Sequence, residues 1–97
     1  MKLSYSREAI SDLIRLREFI VSKNPEAAQK IAQSIQKGIA QLKTFPYLGV
    51  EVELAPDPEM IRDLIIGNYI ARYLIHQKHV YILRVWHHKE ERLEQVN

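Results

Sequence analysis

The residues of this chain best suited to chemistry are basic and cluster in its C-terminal third. His87 and His88 are adjacent and lead into Lys89 and Arg92, while Arg62, Arg72 and Arg84 interrupt otherwise apolar stretches. A histidine can give or take a proton near neutral pH, and Lys or Arg can stabilise the charge of a phosphorane-like transition state. Cleavage of RNA by its own 2′-hydroxyl needs little more than a base, an acid and positive charge, so Arg72, Arg84, His87 and His88 form a candidate catalytic set. Adjacent residues on a strand point opposite ways, which argues against His87 and His88 lining one site. With Trp86 beside them, the arginines also suit a binding groove for an acidic peptide or a phosphate backbone. The plainer reading is a solvated, salt-bridged surface, with Asp63 or Glu53 as partners. No metal site is expected: His76 and His79 flank a turn without a carboxylate at ligand spacing, and the chain has no cysteine. No P-loop, glycine-rich nucleotide motif or nucleophile elbow occurs, so no cofactor is expected.

The elements that must position these groups are legible from periodicity. Residues 60–66, 69–75 and 80–87 are rich in Val, Ile, Tyr and Trp, and are separated by Gly67-Asn68 and by residues 76–79. They predict a three-stranded antiparallel meander. Upstream, Ala9, Ile10, Leu13, Ile14 and Ile20 mark an amphipathic helix over residues 7–22, with Ser6 as N-cap. Asn24-Pro25 opens a second helix that runs to Thr44, ahead of Phe45-Pro46. Residues 2–6 alternate as a short strand would, and residues 45–59 read as an ordered loop with an extended piece at 50–54. The expected fold is α+β: an N-terminal strand, an antiparallel helix hairpin on one sheet face, then the meander. Strand parity puts Tyr69, Ala71, Tyr73 and Ile75 on one face, and groups Val80 and Ile82 with Arg84, Trp86 and His88. Since an unpaired buried charge is very costly, Arg62, Arg72 and Arg84 are expected to face away from the helices.

Length bounds the rest. Ninety-seven residues make one domain, spanning residues 1–97, with a modest core. A formal net charge of +2 permits an anionic partner but is well short of a dedicated nucleic-acid-binding composition. No apolar run approaches spanning length and the N-terminus lacks the apolar region of a signal peptide, so a cytoplasmic protein without membrane contact is expected.

The order and spacing of several short motifs resemble the RelE/ParE superfamily of type II toxin–antitoxin toxins, and within it the ParE-like branch. They are Ala9 with Asp12-Leu13, Asn24-Pro25-Glu26-Ala27-Ala28, Phe45-Pro46-Tyr47-Leu48-Gly49, Ile61-Arg62-Asp63-Leu64, Gly67-Asn68-Tyr69-Ile70 with Tyr73, and Ile82-Leu83-Arg84-Val85-Trp86-His87. The resemblance implies a growth-inhibiting toxin neutralised by a cognate antitoxin, whose C-terminal segment wraps the hairpin and sheet. RelE-type members are ribosome-dependent mRNA endonucleases; ParE-type members poison DNA gyrase. RelE-type toxins typically carry a catalytic arginine after the tyrosine that opens the middle strand, where this chain has Ile70 after Tyr69. That departure favours gyrase as target, with Arg62, Arg72, Arg84, Trp86, His88, Lys89 and Arg92 as binding residues. Arg72, two positions on with the same parity, keeps the mRNA interferase alternative open. A third reading is a degenerate toxin that only binds its antitoxin.

Overall fold

A computed structural model describes residues 1–90. The elements in chain order are β1 (Lys2–Tyr5), α1 (Arg7–Lys23), α2 (Pro25–Ala40), a 3₁₀ turn (Gln41–Lys43), β2 (Val50–Glu51), β3 (Ile61–Ile66), β4 (Tyr69–His76) and β5 (His79–His87). They form one sheet of order β1-β5-β4-β3-β2, with β1 parallel to β5 and the other pairings antiparallel. The expected α+β layout holds. The short extended piece after α2 becomes a fifth strand, β2, at the far edge.

The local reasons are those of the sequence. The Ser6 hydroxyl accepts the Ala9 N–H at 2.9 Å, and the Asn24 side chain accepts the Ala27 N–H at 3.2 Å. Each such cap stabilises its helix by about 1 kcal/mol. Asn24 alone separates the helices. Gly67, at φ +58°, opens the β3–β4 turn, where a side chain would be strained. The β4–β5 turn is tighter than expected: only Gln77 and Lys78 lie outside the strands, at φ 49° and 61°. Positive φ at both central positions matches the twist of the hairpin.

The core lies between hairpin and sheet, with Ala9, Leu16, Ile35, Ile39 and Leu42 against Leu64, Ala71, Tyr73, Ile75, Val80, Ile82 and Val85. Gly38 gives close approach to β3 rather than to α1, since a Cβ there would sit 2.8 Å from the Ile66 side chain. Tyr73 is fully buried, and its phenol both donates to the Pro46 carbonyl at 2.7 Å and accepts the Gly49 N–H at 2.8 Å. This one side chain ties the loop after α2 to the middle of the sheet.

Tyr73→Phe keeps the ring and orphans both loop groups. A loss of about 1–3 kcal/mol is expected, read by urea unfolding, with faster amide exchange at Gly49. Unchanged stability and exchange would show that the loop holds its shape without the phenol.

Candidate functional site

The face of the sheet opposite the helices is set by one irregularity. Cross-strand partners share a face. Arg72 pairs with Arg84 and Tyr73 with Ile82, leaving Leu83 without a counterpart in β4. This bulge switches the parity of β5. Val80 and Ile82 therefore join Val85 in the core, rather than sharing a face with Arg84, Trp86 and His88 as uninterrupted alternation predicts. Arg72, Arg84, Ile70 and Trp86 fall on the opposite face.

The three arginines have three different fates. Arg72 does lie on the far face: its Nε and Nη2 bind both oxygens of Asp63 at 2.8 and 3.0 Å, and its guanidinium sits 5.0 Å from the centre of the Trp86 ring. Trp86 is itself only 8% exposed, so it acts as a platform for Arg72 more than as an open contact. Arg84 starts from the same face, but its guanidinium reaches the helix layer. Its Nε and Nη2 bind Asp12 of α1 at 2.8 and 3.0 Å. Arg62 does not face away from the helices at all. It pairs with Tyr73 across the strands, and its head group donates to the carbonyls of Tyr47, Gly49 and Glu59. Only 14% of that side chain is exposed, with Glu51 at 3.5 Å. Arg62 is a loop clamp, and the reason is local: the loop's carbonyls need donors.

Asp12 was hidden in plain view. It falls between Ala9 and Leu16 on the apolar stripe of α1 and is only 5% exposed. Besides Arg84 it accepts the Val85 N–H at 2.9 Å, on the edge of β5 beyond the last residue paired with β1. Burial by itself pushes the Asp12 carboxyl up. The Arg84 and Val85 hydrogen bonds, with the charges of Arg84 and Arg15, outweigh it and hold the group below the ordinary carboxylate range. Charge reversal at Arg84 would set two carboxylates together here, so it would report on folding as much as on any site.

The histidines come together after all. β5 ends at His87 and residues 88–90 turn helical, so consecutive side chains no longer oppose each other. The two rings stack at 4.7 Å, and His87 meets Tyr69 edge-on at 5.2 Å. Burial and the neighbouring His88 and Lys89 lower the His87 pKa. Its Nδ1 accepts the Lys89 N–H at 3.1 Å, which leaves the ring proton of the neutral form on Nε2. His88 makes the opposite choice, its Nδ1 donating to the Asn68 carbonyl at 3.3 Å. Arg15 holds this corner by bonding Glu90, which is 3.4 Å from the His87 N–H. Arg92 lies outside the described residues. The geometry thus groups Arg72, Arg84 and Trp86 on the sheet and His87, His88 and Lys89 at its end, and removes Arg62. Sequence reasoning missed Tyr69, Asn68 and Glu90 as supports of the histidine pair: Tyr69 and Asn68 reach it through the β4–β5 pairing and its end, and Glu90 through the unforeseen helical turn.

One helix hairpin backs a five-stranded sheet that carries the Arg72–Asp63 and Arg84–Asp12 pairs, and among the described residues no group of His, Asp or Glu could hold a metal ion. The family described as "ParE toxin of type II toxin-antitoxin system, parDE" matches residues 3–92, and the chain belongs to it. Among solved structures it is similar to a chain of the chromosomal ParDE toxin–antitoxin system from P. aeruginosa. That match has a TM-score of 0.75 and 26% identity over 90% of this chain and 95% of the other. No curated protein matches significantly.

Because the folded Asp12 pKa is depressed, its stabilisation is complete above the unfolded carboxylate value of about 4 and is lost as pH falls through the lower, folded value. Asp12→Asn should cost about 1–3 kcal/mol at pH 7 and flatten the acid limb of the stability curve. Urea unfolding at pH 7, 4 and 3 checks this; parallel curves for the two proteins would assign the acid limb to other groups.

Proposed function

We propose that this type II toxin arrests growth by binding and poisoning DNA gyrase in the cytoplasm, without catalysis of its own. The observation that carries the reading is how the sheet arginines are used. A catalytic arginine must offer its fork to a phosphate. Here Arg72 spends its fork on Asp63 and Arg84 spends its on Asp12. The position after Tyr69, where RelE-type toxins typically carry arginine, holds Ile70 at 9% exposure. His87 is a poor base through Nδ1, which is occupied, and through Nε2, which carries the proton. Arginine–carboxylate pairs beside a buried indole suit recognition of a protein surface, where fixed charges set orientation. The contact set under this reading is Arg72, Arg84, His88, Lys89 and Arg92, with Trp86 as the platform beneath Arg72 and Arg62 supporting from behind.

A cognate antitoxin is the partner that membership of a type II system implies. A cleft of about 870 Å³ between the helices, lined by Ile10, Leu13, Ile14, Ile20, Val21 and Ile31 among others, offers an apolar seat for its C-terminal segment. Ile10 and Ile14 are 50% and 54% exposed there, more apolar surface than a lone domain gains by showing. The mRNA interferase alternative keeps one observation: the His87–His88 stack beside Lys89 gathers two imidazoles and a cation at one corner.

Purified toxin should inhibit supercoiling by purified gyrase and accumulate cleaved DNA, and Arg72→Gln should weaken this on the order of tenfold, the loss of a contact of about 1.4 kcal/mol. In induced cells, messages should stay intact, and the His87→Ala/His88→Ala double variant should cleave nothing that the parent spares. New 5′ ends inside translated frames, abolished by that double variant, would replace the gyrase reading with the nuclease one.

A further inference from the structure

The turn at residues 45–50 is fixed with unusual thoroughness. The Tyr73 phenol bonds both Pro46 and Gly49, Arg62 donates to the Tyr47 and Gly49 carbonyls at 3.3 and 2.9 Å, and the Leu48 N–H closes on the Phe45 carbonyl at 3.1 Å. Gly49 is pressed against the sheet so closely that a Cβ would lie 2.8 Å from the Asp63 carbonyl oxygen and from the Tyr73 ring. Yet the apolar side chains this scaffold presents stay exposed, the Tyr47 ring lying 5.0 Å from the Arg62 guanidinium. Phe45 is 61% exposed, Tyr47 53%, Leu48 48% and Val50 57%. Single exposed apolar residues are ordinary, but a contiguous apolar cluster on a rigid backbone is a mark of an interface. Leu48 and Val50 line, with Ile65 (64% exposed) and Ile66, a groove of about 530 Å³ between α2 and the edge of β3. This groove shares no lining residue with the hairpin cleft.

We propose that this turn and groove are a second protein-docking surface, which engages the same target as the arginine face. Continuity supports one target: Asp63 lines the groove and holds Arg72 on the neighbouring face. Charge supports a protein and not a nucleic acid. Although Lys37 lines the groove and Glu51 is paired with Arg62, the loop that follows exposes Glu53, Asp57 and Glu59, which would repel a phosphate backbone. The fitting occupant is an apolar surface with Lys or Arg on its rim. A backbone already held in its bound shape loses little entropy on docking, and Tyr is among the residues that most often anchor interfaces. Arg62 and Tyr73 are then positioning residues for the turn. The inference rests on the gyrase reading for the identity of the target.

The test is inhibition of purified gyrase by the wild-type toxin, by Tyr47→Ser/Leu48→Ser and by Glu53→Lys, each with its melting temperature. Expected is full inhibition by the wild type, a loss of tenfold or more for the double variant, and a smaller loss for Glu53→Lys, with folding unchanged. Wild-type inhibition that both variants match within twofold would overturn the docking surface and leave the gyrase reading standing. A wild type that does not touch gyrase would overturn both. Should the double variant unfold, Glu53→Lys, on an exposed loop position, decides alone.

Discussion

One buried carboxylate ties α1 to the edge of β5. Asp12 accepts from the Val85 backbone and from both ends of the Arg84 fork. Left unpaired at 5% exposure, it would cost several kcal/mol. The Val85 N–H it takes belongs to the part of β5 that β1 is too short to reach. Satisfying that edge fixes where α1 lies along the strand. Arg15, one turn further on, can then reach Glu90 and steady the corner that follows His87. Helix position, strand edge and histidine geometry are thus coupled through two oxygens.

The second constraint sits at the other end. Residues 45–59 connect the helix hairpin to the meander with only two residues in a strand, so most of their backbone groups need partners from elsewhere. Tyr73 and Arg62 supply them from neighbouring strands on the core face. This explains why an arginine occupies a position whose cross-strand neighbour is a fully buried tyrosine: its aliphatic stem packs, and its donors serve carbonyls. A residue that reads in sequence as surface charge is, in space, part of the loop's hydrogen-bond supply.

The sequence was most legible where a rule is local. Ser6 and Asn24 cap as their types require, the stripe of α2 faces the sheet, and Gly67 turns the first hairpin, whereas of the stripe expected on α1 Ala9 is buried but Ile10 and Ile14 stay half exposed in the cleft between the helices. It was least legible where a single residue breaks a period. Leu83 adds one residue to β5, and every assignment of face on that strand changes across it. Nothing in the run Ile82-Leu83-Arg84-Val85 marks the bulge, because apolar residues occupy both faces nearby. The helical turn at residues 88–90 escaped for the same reason: His-His-Lys-Glu carries no strong preference, and the turn is held by long-range bonds from Arg15 and Asn68. Asp12 did leave a signal, a carboxylate at helical spacing inside an apolar stripe, and only its partner was out of reach.

The distribution of charge limits what this surface can do. The net charge is +2, yet the arginines on the sheet are matched one by one with carboxylates of the same chain. Such pairs cancel at long range and leave directional donors at short range. A phosphate backbone is recognised chiefly through unpaired cations and the counterions they release, so a surface of matched pairs gains little from it. A folded protein surface is recognised differently, by the fit of apolar patches and by the cost of misplacing a fixed charge. Under the proposed gyrase reading, the exposed turn at one end and the arginine pairs beside it serve that second requirement. In this small domain Arg62, Arg72 and Arg84 are each held by fixed partners in the fold, Arg62 by loop carbonyls and the other two by carboxylates.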